Sequence, residues 1–209
     1  AETASHALGL LGLLALSFAI VVGLELLARR FGPQRSSLAA VAAVLLMWAA
    51  MFLNNAPSLS AWDGYDAQAH LKHVQFVLDH GRSPIAEQGW SMFQPPLYYA
   101  ITVAGLLAFD VPVFDPAATW IRRGEGLLFG CAQIGLLFGC LRLLFPGRPR
   151  ASLVGLLVVA FVPVNLYTFQ LVGNDALAAT FSTATIYVAL RILCDPPSSL
   201  AAHAALGMC

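Results

Sequence analysis

Long apolar stretches alternate with short polar segments along most of this chain. A helix that crosses the hydrocarbon core of a bilayer needs roughly 20 predominantly apolar residues. The stretches that approach this length are residues 7–28, 37–53, 119–145, 152–171 and 176–193, and residues 199–209 resemble the start of one more. The pattern predicts an all-α polytopic membrane protein, with about five to six transmembrane helices in a single transmembrane module over residues 1–209.

The segment 54–95 interrupts this pattern with charged, histidine and tryptophan residues, which predicts a large outer loop. The apolar stretch that follows it, residues 96–109, would span only about 21 Å as a helix at 1.5 Å per residue. That length falls short of the roughly 30 Å of the bilayer core. Because the stretch begins at Pro95-Pro96, and proline favours a helix start, we predict an interfacial or re-entrant helix over 96–109.

The positions of the arginines predict the topology, because cytoplasmic loops carry an excess of Lys and Arg. The arginines of residues 29–35 place the first loop in the cytoplasm. If 96–109 does not cross the membrane, the basic loop 142–150 also lies inside. The polar loop, the pair Arg122-Arg123 and the turn 173–175 then all face the outer side.

Composition narrows the class of protein. Of the 209 residues, 59% are hydrophobic and 11% are charged, and the formal net charge is zero. A soluble domain carries about 25% charged residues, so a water-soluble globular domain is excluded, and the lack of a basic run excludes a nucleic-acid binder. The lipid bilayer is therefore a predicted partner. Because the sequence stops inside an apolar run, we expect the N-terminal part of a longer protein.

The polar loop contains the features of a helix start at residues 62–73. Asp63 suits the N-cap, and Asp66, three residues later, resembles the acid of a capping box. Gly81 suits the position after the last turn, which predicts a helix that ends near His80.

On this predicted helix Asp66, His70 and His73 fall at i, i+4 and i+7 and share one face. Capping accounts for Asp66 less well than for Asp63, so Asp66 is the stronger catalytic candidate, with His70 within reach of a hydrogen bond to it. An Asp-His-His face can also bind Zn²⁺ or Mn²⁺, which leaves a divalent metal open as the less favoured interpretation. The apolar face of the helix suits the bilayer surface and consists of Leu71, Val74 and Leu78.

Further candidates follow the loop. Gln94, Tyr98 and Tyr99 are candidates for substrate binding, although the tyrosines also suit an aromatic belt at the interface. Arg122 and Arg123 violate the positive-inside pattern, and a bound lipid phosphate would explain them because guanidinium groups match phosphate oxygens. Ordinary snorkelling is the alternative.

Two acidic residues in the apolar part of the chain need a reason. Glu125 lies one turn from Arg122 and can pair with it. Asp175 begins a predicted span, where it either caps the helix or acts in a site, since acids at membrane depth are functional candidates.

The loop resembles the first outer loop of GT-C fold glycosyltransferases of the family 39 type, which include protein O-mannosyltransferases and the aminoarabinose transferases of lipid A. The residues that carry the resemblance are Tyr65-Asp66-Ala67-Gln68-Ala69-His70, Gly81-Arg82-Ser83-Pro84 and Phe93-Gln94-Pro95-Pro96-Leu97-Tyr98-Tyr99. The family loop reads Asp-Glu-x-x-Tyr, then a bend, then Lys- or His-Pro-Pro-Leu. Here Ala67 replaces the Glu, His70 replaces the Tyr, and Gln94 stands where the family has a cation.

The resemblance implies a sugar transfer from a polyprenyl phosphate to an acceptor on the outer face of a bacterial inner (cytoplasmic) membrane. Asp66 would act as the base, with His70 and Asp175 orienting the acceptor or Asp66. Arg122 and Arg123 would hold the lipid phosphate, and substrate contacts would come from the remaining loop candidates: Asp63, Gln94, Tyr98 and Tyr99.

Two other classes of function stay open from the residues. A non-catalytic membrane subunit or pseudoenzyme could bind a lipid phosphate or pack against membrane-protein partners. A transporter could use Asp175 as an ion site, but the sequence has no second broken helix or inverted repeat to support it.

Overall fold

The structure is a computed structural model that describes residues 33–60, 62, 64–194 and 200–208, and 79% of these described residues are helical, without strands. The first predicted span, 7–28, and Asp63 lie outside the described residues. The helices are α1 (Pro33–Asn55), α2 (Ala67–His80), α3 (Leu97–Phe109), α4 (Pro116–Leu144), α5 (Pro149–Ala160), α6 (Pro163–Tyr167), α7 (Asp175–Cys194) and α8 (Leu200–Met208). Short 3-10 turns lie at Ala56–Ser58, Ala86–Gln88 and Thr168–Gln170.

Three of the described helical segments are long and apolar enough to cross a membrane: Ser37–Ser58, Pro116–Leu144 and Asp175–Cys194. They correspond to the predicted spans 37–53, 119–145 and 176–193. Large apolar side chains are exposed along them, as Leu46, Leu128 and Ile186 illustrate. Such surfaces are rare on soluble monomers, so the described part of the chain is compatible with an integral membrane protein.

The predicted span 152–171 is broken rather than continuous. Helix α5 ends at Ala160, α6 begins at Pro163, and the two axes meet at 65°. Proline lacks a backbone N–H and disfavours helical geometry in the residue before it, and Val162 is accordingly extended, with ψ 126°. The side chain of Asn165 donates to the Val159 carbonyl at 2.6 Å, which satisfies an acceptor near the break. The pair counts as a fourth span only if it crosses as one unit.

The helix α3 is the predicted interfacial or re-entrant segment 96–109, and it is shorter than a span. Its start packs on α2, where the Tyr99 hydroxyl bonds to His70. Its end leads to Val113, whose carbonyl accepts a hydrogen bond from Arg122 near the start of α4. Because both ends of α3 are tied to the same end of the bundle, α3 does not carry the chain to the other end.

The central helix is α4, which contacts α1, α3, α5 and α7. Asp115 caps its start by accepting from the Ala117 N–H at 2.7 Å, and Pro116 occupies the first turn. Two glycines of α4 allow close approach. A Cβ on Gly126 would lie 1.8 Å from the Phe169 carbonyl oxygen, and one on Gly130 would lie 2.1 Å from the Trp48 ring. Small residues serve the same purpose at other membrane helix interfaces.

Two buried clusters divide the apolar side chains between the two parts of the fold. The bundle cluster joins α1, α4, α5 and the 3-10 turn after α6, around Trp48, Phe52 and Phe169. The loop cluster joins α2, α3 and the start of α4, around Leu71 and Tyr99. The loop cluster therefore holds together α2 and α3, the two helices that carry several of the candidate site residues.

Replacing Gly126 by Ala tests the close approach of α4 to the turn Thr168–Gln170. The new methyl group would collide with a backbone carbonyl that has little freedom to move, so we expect a loss of about 1–3 kcal/mol in stability. Thermal unfolding of the purified protein in detergent measures the effect. Gly124→Ala is the matched control, because a Cβ at Gly124 meets no atom within 4 Å and alanine favours a helix. Equal unfolding temperatures for the two variants would contradict the packing.

Candidate functional site

The helix α2 begins later than predicted, at Ala67, with Asp66 rather than Asp63 before its first turn. Asp66 makes no side-chain capping hydrogen bond. Its carboxylate accepts instead from the indole N–H of Trp90 at 3.0 Å. The predicted end of the helix is confirmed, because Gly81 adopts φ 64° and donates its N–H to the Val77 carbonyl.

The two histidines of α2 are buried, with exposures of 6% for His70 and 1% for His73. Both contact Tyr99 of α3. The Nδ1 of His70 and the Tyr99 hydroxyl share a hydrogen bond of 2.7 Å, and the His73 ring stacks on the Tyr99 ring with centroids 3.4 Å apart. The other ring contact of His73 is a hydrogen bond of 3.0 Å between Nδ1 and the Ser91 carbonyl.

The polar atoms of Asp66, His70 and His73 do not converge on a common point. Asp66 is exposed and faces Trp90, whereas His70 and His73 point into the loop cluster against Tyr99. Within the described ranges no group of three His, Cys, Asp or Glu side chains has the geometry to bind a metal ion. The helical period correctly places the residues on one side, but tertiary packing separates their polar atoms.

The apolar face of α2 is also buried by protein rather than by lipid. Leu71 and Val74 are almost fully enclosed in the loop cluster, and Leu78 packs at its edge. The prediction that this face lies on the bilayer surface is therefore wrong, because α3 covers it.

The turn before α7 lies directly against the polar loop. A Cβ on Gly173 would be 3.4 Å from His70 Nε2 and 3.6 Å from Asp175 Oδ2, so the two side chains flank this glycine. The Asn174 amide donates to Gln94 Oε1 at 3.0 Å. Asp175 is the first residue of α7 and its side chain is exposed. The structure thus brings His70, Gln94 and Asp175 to one end of the bundle.

The tyrosines that end the loop are core residues, not a surface belt. Tyr98 is 5% exposed and Tyr99 is fully buried. Burial, together with the nearby carboxylate of Glu125, raises the pKa of the Tyr98 hydroxyl to about 12. Neither tyrosine, nor the half-buried Gln94, lines either of the two cavities described below, and their role in substrate binding stays a prediction.

Arg122 and Arg123 are buried, and each binds a different segment. Arg122 donates to the Val113 carbonyl at 3.1 Å and to the Thr119 hydroxyl at 3.3 Å. Arg123 donates to the Leu59 carbonyl after α1, and its guanidinium lies 5.4 Å from the ring centroid of Trp120.

The expected pairing of Glu125 with Arg122 is replaced by other contacts. Glu125 Oε2 accepts from the Thr102 hydroxyl of α3 at 2.8 Å, and Arg122 donates elsewhere. The carboxylate therefore ties α4 to α3 rather than to its own helix.

In the described part of the chain, a larger and a smaller cavity open at this end of the bundle. The larger, of about 920 Å³, is lined by Asp66, Lys72 and Trp90 among others. The smaller, of about 360 Å³, is lined by Arg122 and Arg123. They are neighbours, because Trp62 lines both. A carboxylate and two guanidinium groups thus face adjoining spaces.

The tryptophans that line these cavities were not predicted from the sequence. Trp62 and Trp90 are 54% and 72% exposed, and Trp90 also orients Asp66. Helical periodicity cannot pair Trp90 with Asp66, because the two lie in different segments of an irregular loop. The available signal was the concentration of tryptophan in the polar loop, since a patch of exposed apolar side chains marks a binding surface.

Comparisons with known proteins give no assignment: no family model, curated protein or solved structure matches this chain.

Burial of the two histidines predicts a pH-dependent stability. Desolvation lowers the pKa of His70 and of His73 below the ordinary value of 6.5. The unfolded chain therefore binds more protons than the folded chain as the pH falls below about 6.5, and stability is lost in that range. We expect the unfolding temperature to fall between about pH 7.5 and pH 5.5, and to fall less in His73→Gln. His80→Gln, at an exposed position of α2, should retain the wild-type dependence. An unfolding temperature that does not change over this range would contradict the burial.

Proposed function

We propose that this protein is a membrane glycosyltransferase that moves a sugar from a polyprenyl-phosphate donor to an acceptor hydroxyl. The observation that supports the proposal is the pair of adjoining cavities, one lined by the Asp66 carboxylate and the other by Arg122 and Arg123. Transfer from a phosphate needs a base for the incoming hydroxyl and a stabilised leaving phosphate. The two kinds of group face neighbouring spaces on either side of Trp62.

The arginine cavity suits the lipid phosphate. Guanidinium groups form forked hydrogen bonds to phosphate oxygens, and buried donors stabilise developing charge more strongly than exposed ones. Exposed aromatic side chains, Phe114 and Trp120, line the same cavity. An amphiphile with a charged head and an apolar tail fits this combination.

The larger cavity suits the sugar and the acceptor. Asp66 is the proposed base, and the hydrogen bond from Trp90 holds one of its oxygens in a fixed direction. The aromatic faces of Trp62 and Trp90 offer amphipathic surface for a sugar ring. Asp66 is exposed, so in this proposal the bound substrates themselves exclude water from the carboxylate.

The finer topology belongs to the same proposal. Residues 7–28 are long enough to form one more span, since a span needs roughly 20 apolar residues. Together with a span that starts at 199–209, they would bring the total to about five to six. The polar end would face the outer side of a bacterial inner membrane, because the basic segments 29–35 and 142–150 favour the cytoplasm.

A non-catalytic lipid-phosphate binder is the second candidate. Two observations favour it: Asp66 is exposed, and Ala67 stands where the resembling family has a second acid. This candidate shares the arginine cavity with the enzyme and differs only at Asp66.

Replacing Asp66 by Asn separates the two candidates. The substitution keeps the acceptor for the Trp90 N–H and removes the base, so we expect transfer to fall by about 10²–10⁴-fold while binding of the polyprenyl phosphate remains. The measurement is label transfer from polyprenyl-phosphate sugars by the full-length protein in lipid nanodiscs. Asp79→Asn is the matched control, because Asp79 is exposed on the same helix and bonds only to Gln75 in the described part of the chain.

Full transfer by Asp66→Asn would refute the assigned base. Lipid binding without any transfer by the wild type would favour the non-catalytic candidate. Loss of activity to the same extent in Asp79→Asn would show that the effect is not specific to the cavity.

A further inference from the structure

A third cavity lies at the opposite end of α4 from the candidate site. It has a volume of about 480 Å³ and is formed where α4 turns into α5, beside the start of α1. Its walls include Ser37, Phe138, Arg142, Phe145 and Arg148. None of the functions considered above uses it.

The cavity is positively charged. Arg142 and Arg148 line it, and none of its described lining residues is acidic. The sequence contains no Asp or Glu between Glu125 and Asp175, so no acid of α5 or of the adjoining loop balances these charges. The field in the cavity therefore favours an anion.

The two guanidinium groups have donors to spare. Arg142 lies with its Cζ 5.9 Å from the ring centroid of Phe138, a contact that leaves its N–H groups available. Within the described part of the chain, the side chains of Arg142 and Arg148 donate no hydrogen bond and form no ion pair.

The corner that forms the cavity is held by its own contacts. The Ser152 hydroxyl donates to the Leu141 carbonyl at 3.2 Å, joining α5 to α4. Gly147 adopts φ +72°, which allows the tight turn between the two helices. The arginines are thus presented by a folded corner rather than by a free tail.

The distance of the cavity from the candidate site, together with its apolar walls, indicates which kind of anion it binds. Helix α4 rises about 1.5 Å per residue, so Arg142 lies about 30 Å from Arg122, which is the thickness of a bilayer core. Phe138 and Phe145 supply apolar walls beside the charges. A cationic pocket with apolar walls at this depth matches a phosphate headgroup that carries acyl chains.

We propose that this cavity binds the phosphate headgroup of an anionic phospholipid at the face of the membrane opposite to the candidate site. The proposal is independent of the glycosyltransferase function, because it uses none of the same residues. The ligand chemistry, a phosphate held by two guanidinium groups, is also that of a free phosphate ion, and the apolar walls favour the lipid.

The test is lipid binding by the full-length protein, counted by native mass spectrometry after addition of phosphatidylglycerol or of phosphatidylcholine with the same acyl chains. We expect wild type to retain phosphatidylglycerol preferentially and the double variant Arg142→Gln/Arg148→Gln to lose about tenfold or more in that binding. Arg150→Gln is the matched control. It removes one positive charge from the first turn of α5, as Arg148→Gln alone does beside it, but Arg150 does not line the cavity.

A second pair of variants covers the case in which the double variant does not fold. Arg148→Gln alone changes an exposed residue and should still weaken binding by severalfold, and Arg142→Lys/Arg148→Lys should recover part of it, because the charge is kept while the forked geometry is lost.

Three results would overturn the proposal. Equal retention of the two lipids by wild type would show that charge does not matter. A loss in Arg150→Gln as large as in the double variant would show diffuse attraction rather than a site. Displacement of the lipid by millimolar inorganic phosphate, or phosphate binding without lipid, would assign the cavity to a soluble anion.

Discussion

The buried charges in the first turns of α4 are the constraint on which the polar end of this protein depends. A charge removed from water is costly unless it is hydrogen-bonded or paired. Arg122, Arg123 and Glu125 are each nine-tenths or more buried, and each forms a hydrogen bond with a different segment: the chain after α3, the chain after α1, and α3 itself. One helix thereby fixes three neighbours through contacts that apolar packing alone would not specify.

The same hydrogen bonds also position the segments that form the candidate site. The segment after α1 leads to Trp62, and the segment α3 carries Tyr99, on which the histidines of α2 pack. The two arginines that hold these segments in place therefore also line the smaller cavity, while Asp66, just before α2, lines the larger one. A single set of interactions shapes both spaces, which is why the proposed base and the proposed phosphate contacts lie on either side of one tryptophan.

How far the sequence predicts this structure depends on the kind of contact. Apolar runs predict three helices, and Gly81 correctly marks the end of α2, because length and a left-handed turn are local properties. The break before Pro163 is also a local property, because proline disfavours a continuous helix. The apolar run 152–171 nevertheless led to the prediction of one continuous span. The burial of His70 and His73 and the bond from Trp90 to Asp66 were beyond prediction, because each depends on segments brought together by the loop. Periodicity specifies which residues share a face and not what covers that face.

We propose that α4 spans a membrane, with the candidate site at one face and the arginine corner at the other. The decisive measurement is labelling with a membrane-impermeant maleimide, in cells whose protein carries a cysteine in place of Gln68 or of Pro146 and lacks the native cysteines. Gln68 lines the larger cavity and Pro146 lines the corner cavity. We expect the cysteine at 68 to react in intact spheroplasts and the cysteine at 146 to react only after permeabilisation. Reaction of both positions in intact spheroplasts would contradict it.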